Sequence, residues 1–409
     1  MMVSSHEHPR LRPVQPQFVE HNGRAVIMLR DPLQLTGDAL LIPHELGPLL
    51  ALCDGTRDVS ALRAALIVHA GINLSTNVLE QILDKLDENY LLENERSAAA
   101  KTEAIVRYRA APSRALVSAG SSYPEDPDEA RALLDGFIDA LGEGVVALGG
   151  DVRGVVCPHI DYQRGGAIYA RTWQAVAEAA RSAECVILLG TDHMGSEGQI
   201  TPTRQNYATP WGVFPTDQAV VDALAQAIGE EAAFAEELHH IGEHSIELAL
   251  VWLHHIRGGK PCTLVPILCG SFDTFTQGLL DPAGNATFAA VLDVLRKAAS
   301  APNTLVVAAA DLAHVGPAFG DMLPYDYVAQ LRLERADESL LERMEQGDAE
   351  GFFAAIRAVE NKYKVCGLPP IYLAMRLLGM HSGRRLAYQQ CPADERDASW
   401  VSICGMALV

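Results

Sequence analysis

Three histidines stand at or just past the carboxyl ends of three short apolar runs. They are His159 after Gly154-Val-Val-Cys-Pro, His193 after Val186-Ile-Leu-Leu-Gly-Thr-Asp, and His314 after Thr304-Leu-Val-Val-Ala-Ala-Ala-Asp-Leu-Ala. Such runs read as fully buried strands that end in loops. Open α/β sheets bind ligands outside the carboxyl ends of their strands. One histidine so placed is more often structural, but three in the same strand-to-loop context point to a site. A fourth piece is Tyr363-Lys-Val-Cys-Gly-Leu-Pro-Pro-Ile371. Proline suits the first turn of a helix, which puts Cys366 just before a helix amino terminus. The dipole there favours thiolate over thiol. A thiolate beside two or three neutral imidazoles suits a first-row transition metal. A cysteine that merely happens to precede a helix is the plainer reading, and these residues alone leave both open.

Acidic residues accompany each histidine: Asp161 follows His159, Asp192 precedes His193, and Asp311 lies three before His314. Asp192 is read as a group that could orient a neighbouring imidazole. Glu243-His-Ser-Ile-Glu247 opens a helix with His244 in its first turn, either as a packing residue or as a contact to substrate or to the site's own side chains. The vicinal pairs His239-His240 and His254-His255 read as solvent-facing or packing residues.

The elements that must position these groups follow from the hydrophobic pattern. Strand-like runs at 152–157, 185–190, 263–268 and 304–309 alternate with helical patterns near 166–181, 217–228, 244–256 and 286–299. That alternation predicts an α/β fold, a largely parallel sheet with helices on both faces, over residues 114–409.

Residues 1–93 read as a separate small unit. Arg24–Leu29 suits a strand, Leu46–Leu52 a short helix, and Asp58 and Ser75 can cap two more. Gly71 ends the first of these, and Val78, Ile82, Leu83 and Leu86 recur at helical spacing in the second. The outline is winged-helix-like. Residues 94–113 have few core-forming side chains and read as a linker.

Composition narrows the function. Of 409 residues, 49% are hydrophobic and 21% charged, which suits a filled globular core. Lys and Arg number 32 against 52 Asp and Glu, a formal charge of −20, and that balance argues against nucleic acid as the main ligand. No apolar run reaches the roughly 18–20 residues of a membrane span, and Met1–Arg10 lacks a signal-peptide core. The eight cysteines form no C-x-x-C pair, and Cys157, Cys185 and Cys269 lie in or beside apolar runs. Reduced thiols in a cytoplasmic protein are expected.

Pro158-His-Ile-Asp-Tyr162, Leu189-Gly-Thr-Asp-His193, Glu243-His-Ser-Ile-Glu247, Asp311-Leu-Ala-His314 and Val365-Cys-Gly-Leu-Pro-Pro370 occur in the order and spacing of the Memo family. The lead-in Ala119-Gly-Ser-Ser-Tyr-Pro124 and the closing Val401–Leu408 also resemble it. The resemblance implies the fold of the LigB-like, class III extradiol dioxygenases, which use non-haem iron. It implies His159, His193 and Cys366 as metal ligands, with His314 as the catalytic base and Asp311 beside it. Bacterial and archaeal members are named for the AmmeMemoRadiSam set, whose AMMECR-type and radical-SAM proteins are the implied partners. Two departures matter. The dioxygenases close their iron site with a carboxylate where this chain has Cys366, so ring cleavage does not carry over. Ile160-Asp161 stands where Ala-Gly is common, which adds a carboxylate without an assigned role. Separately, Leu52–Val59 with Leu86–Glu93 resembles the PqqD-like group, whose members bind a peptide along an edge strand.

These readings lead to an iron(II)-dependent oxidoreductase with a His2Cys site acting on a small substrate, with copper or zinc as alternative metals. The rival is a non-enzymatic metal- or peptide-binding protein.

Overall fold

The structure is a computed structural model that describes residues 7–36, 39–144, 146–149, 151–379 and 382–409. Residues 1–6, on which part of the signal-peptide reading falls, lie outside the described residues. The chain divides into two compact units, Met1–Ala110 and Ala111–Val409.

In the first unit, β1 (Gln15–His21), β2 (Arg24–Arg30) and β3 (Leu40–Pro43) form an antiparallel sheet in that order. Asn22 and Gly23 join β1 to β2 with φ of 52° and 73°, the left-handed pair that a two-residue hairpin demands. The caps fall where the sequence places them. Asp58 accepts from the Ala61 amide at 2.7 Å, Ser75 from Val78 at 3.3 Å, and Gly71 ends its helix at φ 68°. The helices Val59–Ala70 and Thr76–Glu88 close over the sheet with Leu62, Leu66, Leu79, Leu83 and Leu86 fully buried. Val78, expected in that row, is 40% exposed; the inward row runs through Leu79 instead.

Glu95–Ala110, expected within the linker, is a 16-residue helix of this unit. Asn94 and Ser97 cap it reciprocally, each side chain accepting from the other's amide at 3.0–3.1 Å. Its Ala, Glu and Arg content favours helix even where few side chains are apolar; Ala104 and Tyr108 supply its buried face.

The second unit holds β4 (Gly154–Cys157), β5 (Cys185–Thr191), β6 (Ile200–Pro202), the hairpin β7 (Tyr207–Thr209) and β8 (Gly212–Phe214), β9 (Thr263–Cys269), β10 (Thr304–Ala309), β11 (His314–Val315), β12 (Gly383–Pro392) and β13 (Trp400–Leu408). The main sheet runs β11-β13-β4-β10-β5-β9-β6, with β12 paired to β13. Its centre, β4-β10-β5-β9, is parallel, and antiparallel strands extend both edges. The central strands alternate faces residue by residue. Val155, Cys157, Val186, Leu188, Leu305 and Val307 pack under the helices Tyr162–Ala175 and Ser245–Ile256. Val156, Ile187, Leu189, Val306 and Ala308 pack under Gln218–Ile228, Ala286–Ala299 and Leu368–Leu378. Burial on both faces is why these strands read as continuous apolar runs.

The topology creates the crevice. The chain passes from β4 to β5, and β10 later inserts between them, so strand order reverses there. The three strand ends are level: Ala309 pairs with Cys157 on one side and Gly190 on the other. His159, Asp311 and His193 each sit two residues past their strand, on one edge of the sheet at a switch point.

Candidate metal centre

Each imidazole is aimed through the nitrogen it commits elsewhere. The Nδ1 of His159 lies 3.2 Å from the Ala309 carbonyl, to which it donates, and the His159 amide donates to Asp311 at 2.9 Å. The Nδ1 of His193 donates to Glu243 Oε2 at 2.9 Å, and the same oxygen accepts the His193 amide at 3.1 Å. With both Nδ1 atoms committed to these acceptors, the Nε2 atoms are the ones left to a ligand, and they face each other at 3.3 Å. Cys366 Sγ stands 3.6 Å from His159 Nε2. The three ligand atoms all lie within 4.8 Å of one another.

Two imidazole nitrogens and a sulfur gathered at one point of the sheet edge form a donor set that a first-row transition metal would suit. The spacing agrees with that. Metal bonds of roughly 2.0–2.3 Å in tetrahedral array put ligand atoms about 3.3–3.7 Å apart. His159 is buried, whereas the His193 side chain is 33% exposed, so the cluster opens to solvent on one side.

Cys366 arrives from far along the chain. Gly367 allows it to come so close: its amide donates to the Asp311 carbonyl at 3.1 Å, and a Cβ there would meet that oxygen at 2.3 Å. The helix Leu368–Leu378 follows at once, with prolines in its first turn, as the sequence predicts.

Charge follows from these contacts. Burial alone would push the Cys366 thiol up, but His314, His159 and His193 hold it well below the ordinary thiol value. Burial would depress His159, yet Asp311 and Cys366 outweigh it and raise the imidazole to about 9. Burial likewise opposes charge on His193, but Glu243 and Cys366 hold it well above the usual value. For His244, desolvation prevails over Glu243 and lowers it to about 4, so this ring is neutral.

The remaining expected residues take varied places. His244 joins the cluster, stacked on His193 at 5.1 Å and edge-on to His159 at 5.5 Å. His314 stands outside the trio on β11, where its amide donates to the Tyr363 carbonyl at 2.8 Å and its ring meets Phe319 edge-on at 5.0 Å. Asp311 is buried and ties the β10 loop to His159. Asp161 caps the helix Tyr162–Ala175 and binds Arg164 Nε at 2.7 Å. Asp192 turns away from its neighbour His193 and accepts from His239 Nδ1 at 2.9 Å. His240 and His254 are packing residues, fully buried on hydroxyl and carbonyl partners.

Glu243 is the member that sequence reasoning passed over. Its acidic place just before a helix was a usable signal, since carboxylates favour helix amino termini. Among the described residues, two more sets have metal-ligand character, His193 with Glu243 and His244, and Asp192 with Glu236 and His239.

A family model described as Memo-like protein matches residues 114–407. The chain belongs to the Memo-like family. Memo-like relatives share most of its length. A MEMO1 family protein of Aquifex aeolicus is 27% identical over 385 residues, covering 93% of this chain and 95% of that protein. One from Methanopyrus kandleri is 29% identical over 287 residues, 67% of this chain and 91% of its own. One from Thermus thermophilus is 28% identical over 335 residues, 81% of this chain and 94% of its own. An alignment as long as the Aquifex one takes in most of the first unit besides the Memo-like part. No helix among the described residues is long and apolar enough to cross a membrane.

Proposed function

We propose that the cluster at the carboxyl edge of the sheet is a metal site with His159, His193 and Cys366 as ligands, and that this Memo-like protein is an iron(II)-dependent oxidoreductase of a small substrate. The convergence of two Nε2 atoms and one sulfur within 4.8 Å of one another carries the proposal. An iron(II) ion held by this set would supply open positions for O2 and substrate and an accessible redox couple. The protein's own part is to orient and to move protons. Ala309 and Glu243 hold the two rings with Nε2 inward. His314 accepts a proton from bound substrate, with Asp311 holding the loop that carries it. The likeness to LigB-like dioxygenases supports O2 chemistry, while the thiolate in place of their carboxylate argues for a reaction other than ring cleavage. Copper and zinc are the alternative ions for a thiolate–imidazole set. AMMECR-type and radical-SAM proteins are the proposed partners, and a reduced thiolate ligand fits the cytoplasm.

A second reading rests on the first unit. Among the described residues β1 leaves one edge of its sheet free, and Phe18 on it is 78% exposed. Together with the PqqD-like resemblance and the winged-helix-like outline, this supports peptide capture by strand addition, with the metal site carrying copper without turnover. Metal analysis of anaerobically purified protein, followed by a metabolite screen for O2 uptake, separates the two. Bound iron with substrate-dependent uptake supports the oxidoreductase; copper transfer or a bound peptide without turnover overturns it.

A further inference from the structure

Glu243 is buried, 7% exposed, and both of its carboxylate oxygens are occupied. Oε2 accepts from the His193 amide and ring Nδ1. Oε1 accepts from the His244 and Ser245 amides at 2.8 and 2.9 Å and lies 3.2 Å from His244 Nδ1. Those two amides open the helix Ser245–Ile256, so one side of the carboxylate caps a rigid core helix. The backbone of the same turn is held by the buried Arg114, which donates to the His240 and Glu243 carbonyls and pairs with Glu247.

We infer that Glu243 is the positioning residue of this centre: one carboxylate that locks His193 with Nε2 toward the metal and holds His244 stacked on it. The inference rests on the metal reading above. The reasoning is one of donors and acceptors. An imidazole whose Nδ1–H is held by a fixed acceptor can offer only Nε2 to an ion, and its plane cannot turn. Because Glu243 is fixed in turn by a helix terminus, the ring is tied to the fold and not to a mobile loop. His244, whose amide donates to the other oxygen at 2.8 Å, stands stacked on His193 beside the cluster.

Glu243→Gln separates positioning from capping. The amide keeps one oxygen, and the two helix amides, which cannot change their protons, claim it. The NH2 group then faces both the His193 amide and its ring Nδ1–H, donor against donor, and of these two only the ring can move its proton, to Nε2. Zinc affinity, measured by chelator competition, is expected to fall at least about tenfold, the usual scale for losing such a partner, whatever the drop in melting temperature that the lost pairing brings. The downfield, slowly exchanging His193 Nδ1–H proton in NMR spectra is expected in the parent, metal-free or zinc-loaded, and lost in the variant. A role confined to capping gives the reverse: unchanged zinc affinity, a persisting proton signal and only a lower melting temperature, which overturns the inference. If the Gln variant does not fold, Glu243→Asp carries the test, since aspartate caps well but no longer reaches His193. Cys366→Ser distinguishes the two failures. Zinc binding equal to the parent in that variant sinks the metal reading, and the proton signal alone then decides the role of Glu243.

Discussion

Two thiols near one another in the fold are pushed in opposite directions. Cys157 ends β4 two residues before His159, fully buried under the aromatic and aliphatic side chains of one sheet face. Burial raises it well above the ordinary thiol value, and the charge of Asp311 raises it further. Cys366 is held well below that value although burial acts on it in the same sense, because three imidazoles surround it. Cys404 on β13 goes the way of Cys157 for the same reason. Residue type and burial therefore do not mark the thiol proposed as a ligand. What marks it is cationic company at the strand ends, and the boundary between core and site is only two residues wide.

Thiol reactivity offers the largest effect by which that comparison can be broken. In metal-free protein at pH 7, Cys366 should react with iodoacetamide about a hundredfold or more faster than Cys157, since the thiolate is the reacting form. Peptide mapping reads the ratio, and equal rates would erase the distinction. Next in size is metal affinity. Cys366→Ser should lower iron(II) affinity by about 10–100-fold, the scale seen even for lost supporting contacts. Cys366→Glu should restore much of it by supplying a hard anionic ligand. Cys157→Ser should leave affinity alone and cost about 1–3 kcal/mol of unfolding free energy, because it buries an unpaired hydroxyl.

Acidity sharpens the contrast further. His159 must shed its proton to bind a metal, and its value is raised to about 9. Zinc affinity should therefore climb about tenfold per pH unit from 7 toward 9 on this proton alone, and the climb should lessen above 9; isothermal titration across that range checks it. The sign for the metal-free fold is opposite. A raised imidazole contributes stability that is full below about 6.5 and is lost as pH rises through about 9. The smallest effect expected is steric. Gly367→Ala would press a methyl on the Asp311 carbonyl, costing about 1–3 kcal/mol and weakening zinc binding several-fold as the Cys366 loop retreats. Chemical denaturation and zinc competition measure the two parts.

Much of this is legible in the amino-acid sequence. Short continuous apolar runs read as strands buried on both faces, which puts the polar residues after them at the sheet's edge. The helix caps at Asp58 and Ser75 are local hydrogen bonds between near neighbours, so the local chain determines them. The edge strand Gly383–Pro392 escapes notice there because its side chains are only partly buried and its polar residues break the alternation.

What the sequence by itself determined is which side chains reach the carboxyl edge, since that depends only on where each strand stops. Which of them face one another was decided by tertiary structure alone. Asp192 and His193 are adjacent in the chain yet serve different partners, His239 and Glu243, because consecutive side chains leave a loop in different directions. Glu243 and Cys366 come from segments with no local sign of each other, joined only when β10 inserts between β4 and β5 and Gly367 docks on the Asp311 loop. Periodicity and capping are properties of neighbours along the chain, whereas a metal centre is a property of distances across it, and those exist only once the sheet has closed.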